Sequence, residues 1–68
     1  MPNITKLSEI IAQHGLNLAT LARDTGISRT TFYRKLKAGG ETFQLWEVAA
    51  IAKRLGLTKQ ETCDIFLP

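Results

Sequence analysis

The sequence contains almost nothing that could cross-link the chain. Its 68 residues include one cysteine, Cys63, and one histidine, His14, so neither an internal disulfide nor a Cys/His zinc site can form. No apolar run approaches the ~20 residues of a membrane span, and the first residues lack the basic start and apolar stretch of a signal peptide. These absences predict a cytoplasmic protein with no cofactor, no membrane association and no small-molecule ligand.

A chain of this length forms one domain, covering residues 1–68, and buries only about 60% of the surface that its unfolded form exposes. No Ser-His-Asp set, pair of carboxylates or phosphate-binding glycine loop is visible, so we expect no enzymatic activity. A composition of 44% hydrophobic and 22% charged residues argues against disorder. Stability must then come from helix packing or from a partner subunit.

Glycines and apolar residues at helical spacing divide the chain into five helices, and no stretch shows the alternation of a strand. Prolines occur only near the ends, at Pro2 and Pro68, where they break nothing. The predicted helices cover about Ile4–His14, Leu18–Asp24, Ser28–Lys37, Leu45–Leu55 and Thr58–Leu67. The predicted N-caps are Asn17, Ser28 and Thr58, the last in a capping box with Glu61.

The sequence leaves the start of the fourth helix open. Thr42 is the better capping residue, whereas Gln44 as the cap would complete a capping box with Glu47 and let Phe43 pack on Val48. The apolar stripe of this helix is predicted to comprise Leu45, Val48, Ile51, Ala52 and Leu55.

Positive charge is concentrated in one segment. The 15 residues from Arg23 to Lys37 contain five basic residues and one acidic residue, whereas the rest of the chain has four basic and five acidic residues. A solvated helix face and a nucleic-acid-binding surface both explain such a cluster.

A helix-turn-helix needs particular residue types at fixed offsets, and the segment from Leu18 to Leu36 supplies them. Ala22 is small where the second helix would cross the first, Gly26 stands where the turn needs a positive φ, and Ser28 can cap the next helix. The apolar residues that would lock the two helices together are Leu21, Ile27 and Phe32. The set predicts a helix-turn-helix made of the second and third helices.

The third predicted helix would present a polar, basic face opposite Phe32 and Leu36. The residues around it that are predicted to contact DNA are Ser28, Arg29, Thr30, Thr31, Tyr33, Arg34 and Lys37. Arginine can form two hydrogen bonds to guanine, and a threonine methyl can contact a thymine methyl. Salt-dependent attraction to phosphates is assigned to Arg23, Arg29, Lys35 and Lys37.

These residues resemble those of Cro and phage-repressor type helix-turn-helix domains, the lambda-repressor-like family. The resemblance covers nearly the whole chain, including IAKRLGLT (Ile51 to Thr58), which is similar to the end of the fourth helix in that family. It implies a compact all-α fold of five helices and a DNA-binding transcription regulator. It also implies a homodimer on a near-palindromic double-stranded DNA operator, with the third helix in the major groove. A repressor of phage or prophage origin is the leading hypothesis.

Two features depart from the pattern of that family. Many members carry glutamine at the first position of the second helix, where this chain has Leu18, so that contact is absent or is supplied by Asn17. The third helix, Arg29 to Leu36, also resembles the recognition helix of Fis-type domains. Those domains end soon after that helix, so the two further helices predicted here favour the Cro-like family.

Trp46 would point away from the apolar stripe of the fourth helix. One interpretation is partial burial under the loop from Gly39 to Phe43. The other is packing on the sugar-phosphate backbone of DNA, which the resemblance supports because that end of the helix lies near DNA in the family.

Three consecutive apolar residues, Ile65, Phe66 and Leu67, close the last predicted helix. They would span about 200° of the helix, more than one core covers, so at least one faces outward. We predict that they form the interface of a homodimer, whose two copies would bind half-sites about 34–36 Å apart.

Two other functions are alternatives. An antitoxin-like or antirepressor module would bind a protein, and its surface would carry aromatic and aliphatic anchors instead of Arg34, Lys37 and two threonines. A non-specific architectural protein would use apolar wedges and diffuse charge.

Overall fold

A computed structural model describes all residues, 1–68, and contains five helices and no strand. The helices are α1 (Ile4–Gln13), α2 (Leu18–Thr25), α3 (Arg29–Lys37), α4 (Leu45–Leu55) and α5 (Lys59–Phe66). The prediction of an all-α, five-helix domain is confirmed. The predicted helix ends differ from the observed ones by no more than one residue, which is ordinary at helix termini.

Side-chain caps account for the first residues of α1 and α5. At α5, Oγ1 of Thr58 accepts a hydrogen bond from Glu61 N at 3.1 Å, and Oε1 of Glu61 accepts from Thr58 N at 3.0 Å, which confirms the predicted capping box. The hydrogen bond from Thr58 N to this carboxylate holds the pKa of the Glu61 carboxyl below its usual value. At α1, Oδ1 of Asn3 accepts from Lys6 N at 3.0 Å, a cap that sequence analysis did not single out.

The helix α4 begins after Gln44 and not after Thr42. Oε1 of Glu47 accepts a hydrogen bond from Gln44 N at 2.7 Å, so the second of the two predicted starts is confirmed. The assignment of Leu45 to the buried stripe is wrong, because its side chain is 89% exposed. A helical side chain leans toward the N-terminus of its helix. The side chain of the first residue therefore extends beyond the helix and misses the core. The stripe therefore begins at Val48, which packs against the core.

Eleven buried apolar residues form one core to which all five helices contribute. They are Leu7, Ile10, Ile11, Leu21, Ala22, Ile27, Phe32, Ile51, Leu55, Ile65 and Phe66. The helix α2 packs against both α3 and α4, while α5 packs against α1 and α4. The three residues that were predicted to lock α2 onto α3 all lie in this core.

Aromatic rings position the long loop between α3 and α4. The ring of Phe43 contacts those of Phe32 and Phe66 edge-on, with centroids 5.6 and 6.0 Å apart. Phe43 thus joins the third helix to the fifth directly before α4 begins. None of the helices has both the length and the apolar character needed to cross a bilayer.

Candidate nucleic-acid interface

A tight turn at Gly26 joins α2 to α3. Gly26 adopts φ +76°, a left-handed conformation that glycine takes without steric cost, and its N–H donates to the carbonyls of Ala22 and Arg23. The buried Ala22 and Ile27 lie on either side of the turn. The helix-turn-helix predicted from residue types at fixed offsets is confirmed.

The first turn of α3 is held by two hydroxyl groups. Oγ of Ser28 accepts a hydrogen bond from Thr31 N at 3.1 Å and donates to Oγ1 of Thr31 at 2.8 Å. Ser28 therefore acts as the predicted N-cap, and its hydroxyl hydrogen is already used. The Thr31 hydroxyl accepts that hydrogen and retains its own for another partner.

Four polar side chains project from the outer side of α3: Arg29, Thr30, Arg34 and Lys37. All four residues are exposed, and none of their side chains makes a hydrogen bond or an ion pair within the chain. Phe32 lies on the opposite side of the helix and is completely buried. This side of α3 is therefore a basic surface with unused donors.

Tyr33 lies at the edge of this surface. Its ring is about half-exposed, and the Arg29 guanidinium lies 5.8 Å from the ring centroid, within range of a cation–π contact. The arrangement holds Arg29 beside the start of α3 and leaves its donors open to solvent.

The assignment of Lys35 to phosphate attraction is not supported by its position. Its ammonium is buried and lies 2.5 Å from Oε1 of Glu47, which also accepts from Gln44 N. This ion pair between α3 and α4 was not predicted from the sequence. A signal was available on α3, because Lys35 follows the inward-facing Phe32 by three residues and so lies on the core side.

Trp46 lies in the first turn of α4, where its ring is 52% exposed. Its Nε1–H donates to Oε1 of Gln44 at 3.0 Å, which holds the indole against the start of the helix. Trp46 is thus half-buried and half-accessible, and its packing on the DNA backbone stays a prediction. Leu45 beside it is almost fully exposed.

Asn17 and Arg23 lie on α2 and its cap. Oδ1 of Asn17 accepts from Thr20 N at 2.8 Å, which makes Asn17 the N-cap of α2 and leaves its amide NH₂ exposed. The Arg23 side chain is exposed, but its Nε lies 3.5 Å from Asp24. A hydrogen bond from Arg54 to Asp24, 2.9 Å long, holds the pKa of the Asp24 carboxyl below its usual value. The positive charge of Arg23 is thus partly offset by a neighbouring carboxylate.

The structure narrows the predicted dimer contact at the end of α5. Ile65 is completely buried in the core of its own chain and cannot contact a second copy in the intact fold, so its assignment is corrected. Phe66 is 9% exposed and packs in the core, but it also lines the floor of a surface groove, so its contact with a second copy stays a prediction. Leu67 is 78% exposed and lines an apolar groove between α4 and α5 together with Leu45.

Comparison with protein families agrees with this geometry. Residues 6–65 match the Cro/C1-type HTH DNA-binding domain. The chain belongs to this family. Domains of this type bind DNA and are typically not enzymes. No curated protein and no solved structure gave a significant match to the chain. No group of three or more His, Cys, Asp or Glu side chains is placed to hold a metal ion.

Proposed function

We propose that this protein is a sequence-specific regulator of transcription that binds double-stranded DNA, and that it is a repressor of phage or prophage type. The observation that carries the proposal is the outer side of α3, where the side chains of Arg29, Thr30, Arg34 and Lys37 make no hydrogen bond or ion pair within the chain. Free cationic and hydroxyl groups on one side of a helix suit base edges and phosphates, so α3 would lie in the major groove. The membership in the Cro/C1-type family supports the repressor assignment.

The side chains near the middle of α3 would distinguish bases. Arg34 has the donor geometry for the O6 and N7 atoms of guanine, and Thr30 offers a hydroxyl and a methyl group. Arg29 and Lys37, toward the two ends of the helix, would neutralise phosphates. Arg23 would add a weaker contribution, because Asp24 lies beside it.

The remaining proposed contacts would position the protein on the DNA backbone. They comprise Asn17, Ser28, Thr31, Tyr33 and Trp46. The free amide of Asn17 and the free hydroxyl hydrogen of Thr31 are suitable phosphate donors. The exposed half of the Trp46 ring would pack on a sugar.

A second copy of the chain would occupy the groove between α4 and α5. Its rim carries two large exposed apolar side chains, Leu45 and Leu67, and Phe43, Val48 and Phe66 lie within it. Exposed apolar groups next to a concave apolar surface are typical of interaction sites, and a second copy of the chain is the proposed partner. A two-fold dimer would let two α3 helices bind the halves of a near-palindromic operator. A DNA partner would also place the protein in the cytoplasm of a bacterium or of a phage-infected host.

Fluorescence polarisation with a random-sequence DNA duplex tests the proposal. The logarithm of the binding constant should fall linearly with the logarithm of salt concentration, with a slope of about −0.9 for each phosphate neutralised. Lys37→Ala should make this slope shallower, whereas Lys59→Ala on α5, outside the proposed interface, should not change it. A binding constant that does not respond to salt would contradict DNA binding and favour the protein-interaction alternative.

A further inference from the structure

A continuous set of hydrogen bonds leads from α3 to Trp46. The ammonium of Lys35 donates to Oε1 of Glu47 at 2.5 Å, and the same oxygen accepts from Gln44 N at 2.7 Å. Oε1 of Gln44 in turn accepts from the indole Nε1–H of Trp46 at 3.0 Å. Four residues thus connect the inner side of α3 with the exposed first turn of α4.

The ion pair in this set is shielded from solvent. The side chains of Lys35 and Glu47 are only 10% and 3% exposed, and Nζ of Lys35 lies 6.0 Å from the centroid of the Phe43 ring. Moving two charges out of water has a desolvation cost, and their mutual attraction often does no more than offset it. Such a pair therefore adds little net stability. A buried pair does impose a defined geometry, because neither charge can move away from its partner without a large penalty.

We propose that Lys35 is a positioning residue, whose ion pair with Glu47 holds the first turn of α4, and with it Trp46, in a defined place relative to α3. One carboxylate oxygen receives donors from both α3 and the residue that precedes α4, so the two elements are constrained together. The consequence for DNA binding rests on the proposed function, in which α3 and Trp46 contact the same duplex.

The position of Lys35 differs from that of the other basic residues of α3. Lys37 is only two residues further along, yet it is exposed and has no partner within the chain. Removing the charge of Lys35 should therefore leave the salt dependence of DNA binding unchanged, whereas removing that of Lys37 should reduce it. The two lysines form a matched pair that separates positioning from phosphate contact.

The test uses the double variant Lys35→Met/Glu47→Gln in the full chain. Both charges are removed together, so no unpaired charge is buried, and the carbonyl of the new glutamine can still accept from Gln44 N. Lys37→Met is the control, and Lys35→Arg is a conservative variant that retains the charge. Circular dichroism confirms that each variant is folded at the temperature of measurement.

Two properties are measured. The first is acrylamide quenching of Trp46 fluorescence in the free protein, which is specific because the chain has a single tryptophan. The second is the ratio of affinities for a duplex enriched from a random library by the wild-type protein and for a shuffled duplex of equal composition. A purely structural role of Lys35 would lower the melting temperature and leave both properties of the folded protein unchanged.

In the double variant we expect stronger quenching of Trp46. We also expect the affinity ratio to fall about tenfold, which is the discrimination that one well-placed base contact provides. The salt slope should stay that of the wild type. Lys37→Met should reduce the slope and leave quenching unchanged, and Lys35→Arg should retain both wild-type properties. Unchanged quenching in the folded double variant overturns the proposal, as does a salt slope that falls as much as in Lys37→Met. If the wild type binds no duplex, the proposed function fails, and the quenching of Trp46 alone decides whether Lys35 positions α4.

Discussion

Gly40 lies so close to Ile4 that a Cβ atom added to the glycine would be 2.5 Å from Cδ1 of Ile4. The same added atom would lie 3.3 Å from Cβ of Pro2. The start of the chain is held in this place by a hydrogen bond from Asn3 N to the carbonyl of Ile65, 2.6 Å long. The first residues therefore support the loop that leads from α3 to α4.

Gly40→Ala should destabilise the protein by about 2 kcal/mol, because it combines a left-handed backbone with overpacking against Ile4. Gly39→Ala is the matched control, since Gly39 also has a positive φ, +86°, but its nearest neighbour would be Cε of Met1 at 3.8 Å. Urea denaturation compares the two. Equal losses of stability would show that the contact with Ile4 contributes nothing.

Gly26→Val should destabilise the helix-turn-helix by about 1–3 kcal/mol, the cost of holding a β-branched residue at positive φ. A Cβ at Gly26 would have nothing within 4 Å, so no clash of the Cβ adds to the cost of the backbone conformation. Gly26→Asn should be milder, since asparagine tolerates this conformation better. Thermal melting of both variants is the measurement, and an asparagine variant as unstable as the valine variant would contradict this explanation.

Acid should weaken the fold through Glu47. Burial by itself would raise the pKa of this carboxyl, but the hydrogen bonds from Gln44 N and Lys35 outweigh it, and the pKa lies below the ordinary 4.5. The folded protein thus binds this proton more weakly than the unfolded chain does. The stabilisation is complete above the ordinary value and is lost as the pH falls through the lower, folded-state pKa.

Urea midpoints measured from about pH 6 down to about pH 3 should therefore fall more steeply for the wild type than for Glu47→Gln. The pKa values of Asp24 and Glu61 are also lowered, but both residues are present in the two proteins. Their contributions to the pH dependence of stability therefore cancel in the comparison. Parallel pH profiles would show that Glu47 has no lowered pKa.

Arg34→Ala and Thr30→Ala should each reduce the preference for the enriched duplex over a random duplex by about 1–3 kcal/mol. Affinity for random DNA should change little, since these side chains are proposed to contact bases. Lys59→Ala should leave both affinities at the wild-type value. Equal losses on the two duplexes would assign Arg34 and Thr30 to phosphate contacts.

Leu67→Glu should prevent self-association by placing a charge in the groove between α4 and α5. The substitution leaves the core intact, because Leu67 is exposed, whereas a change at Phe66 would damage it. Sedimentation with a palindromic duplex should give two wild-type proteins per duplex and one for the variant. A complex that keeps two copies of Leu67→Glu would place the interface elsewhere.

Local signals in the sequence determined the helices and the turn between α2 and α3. Asn17, Ser28 and Thr58 accept hydrogen bonds from backbone groups three residues away, so the residue type at one position and its near neighbours suffice to start a helix. The left-handed turn at Gly26 is equally local, because only the glycine itself must tolerate it. The outer face of α3 followed from helical spacing once Phe32 was assigned to the core.

Only the tertiary structure decided which candidate residues are accessible. Lys35 is paired with Glu47, twelve residues away, while the nearby Lys37 remains free. Packing likewise buried Phe66 and left Leu45 exposed, although both belong to apolar patterns at helix ends. Burial depends on how segments that are distant in sequence pack together. A local apolar pattern identifies the core-facing side of a helix, but it does not determine which segment covers each end of that helix.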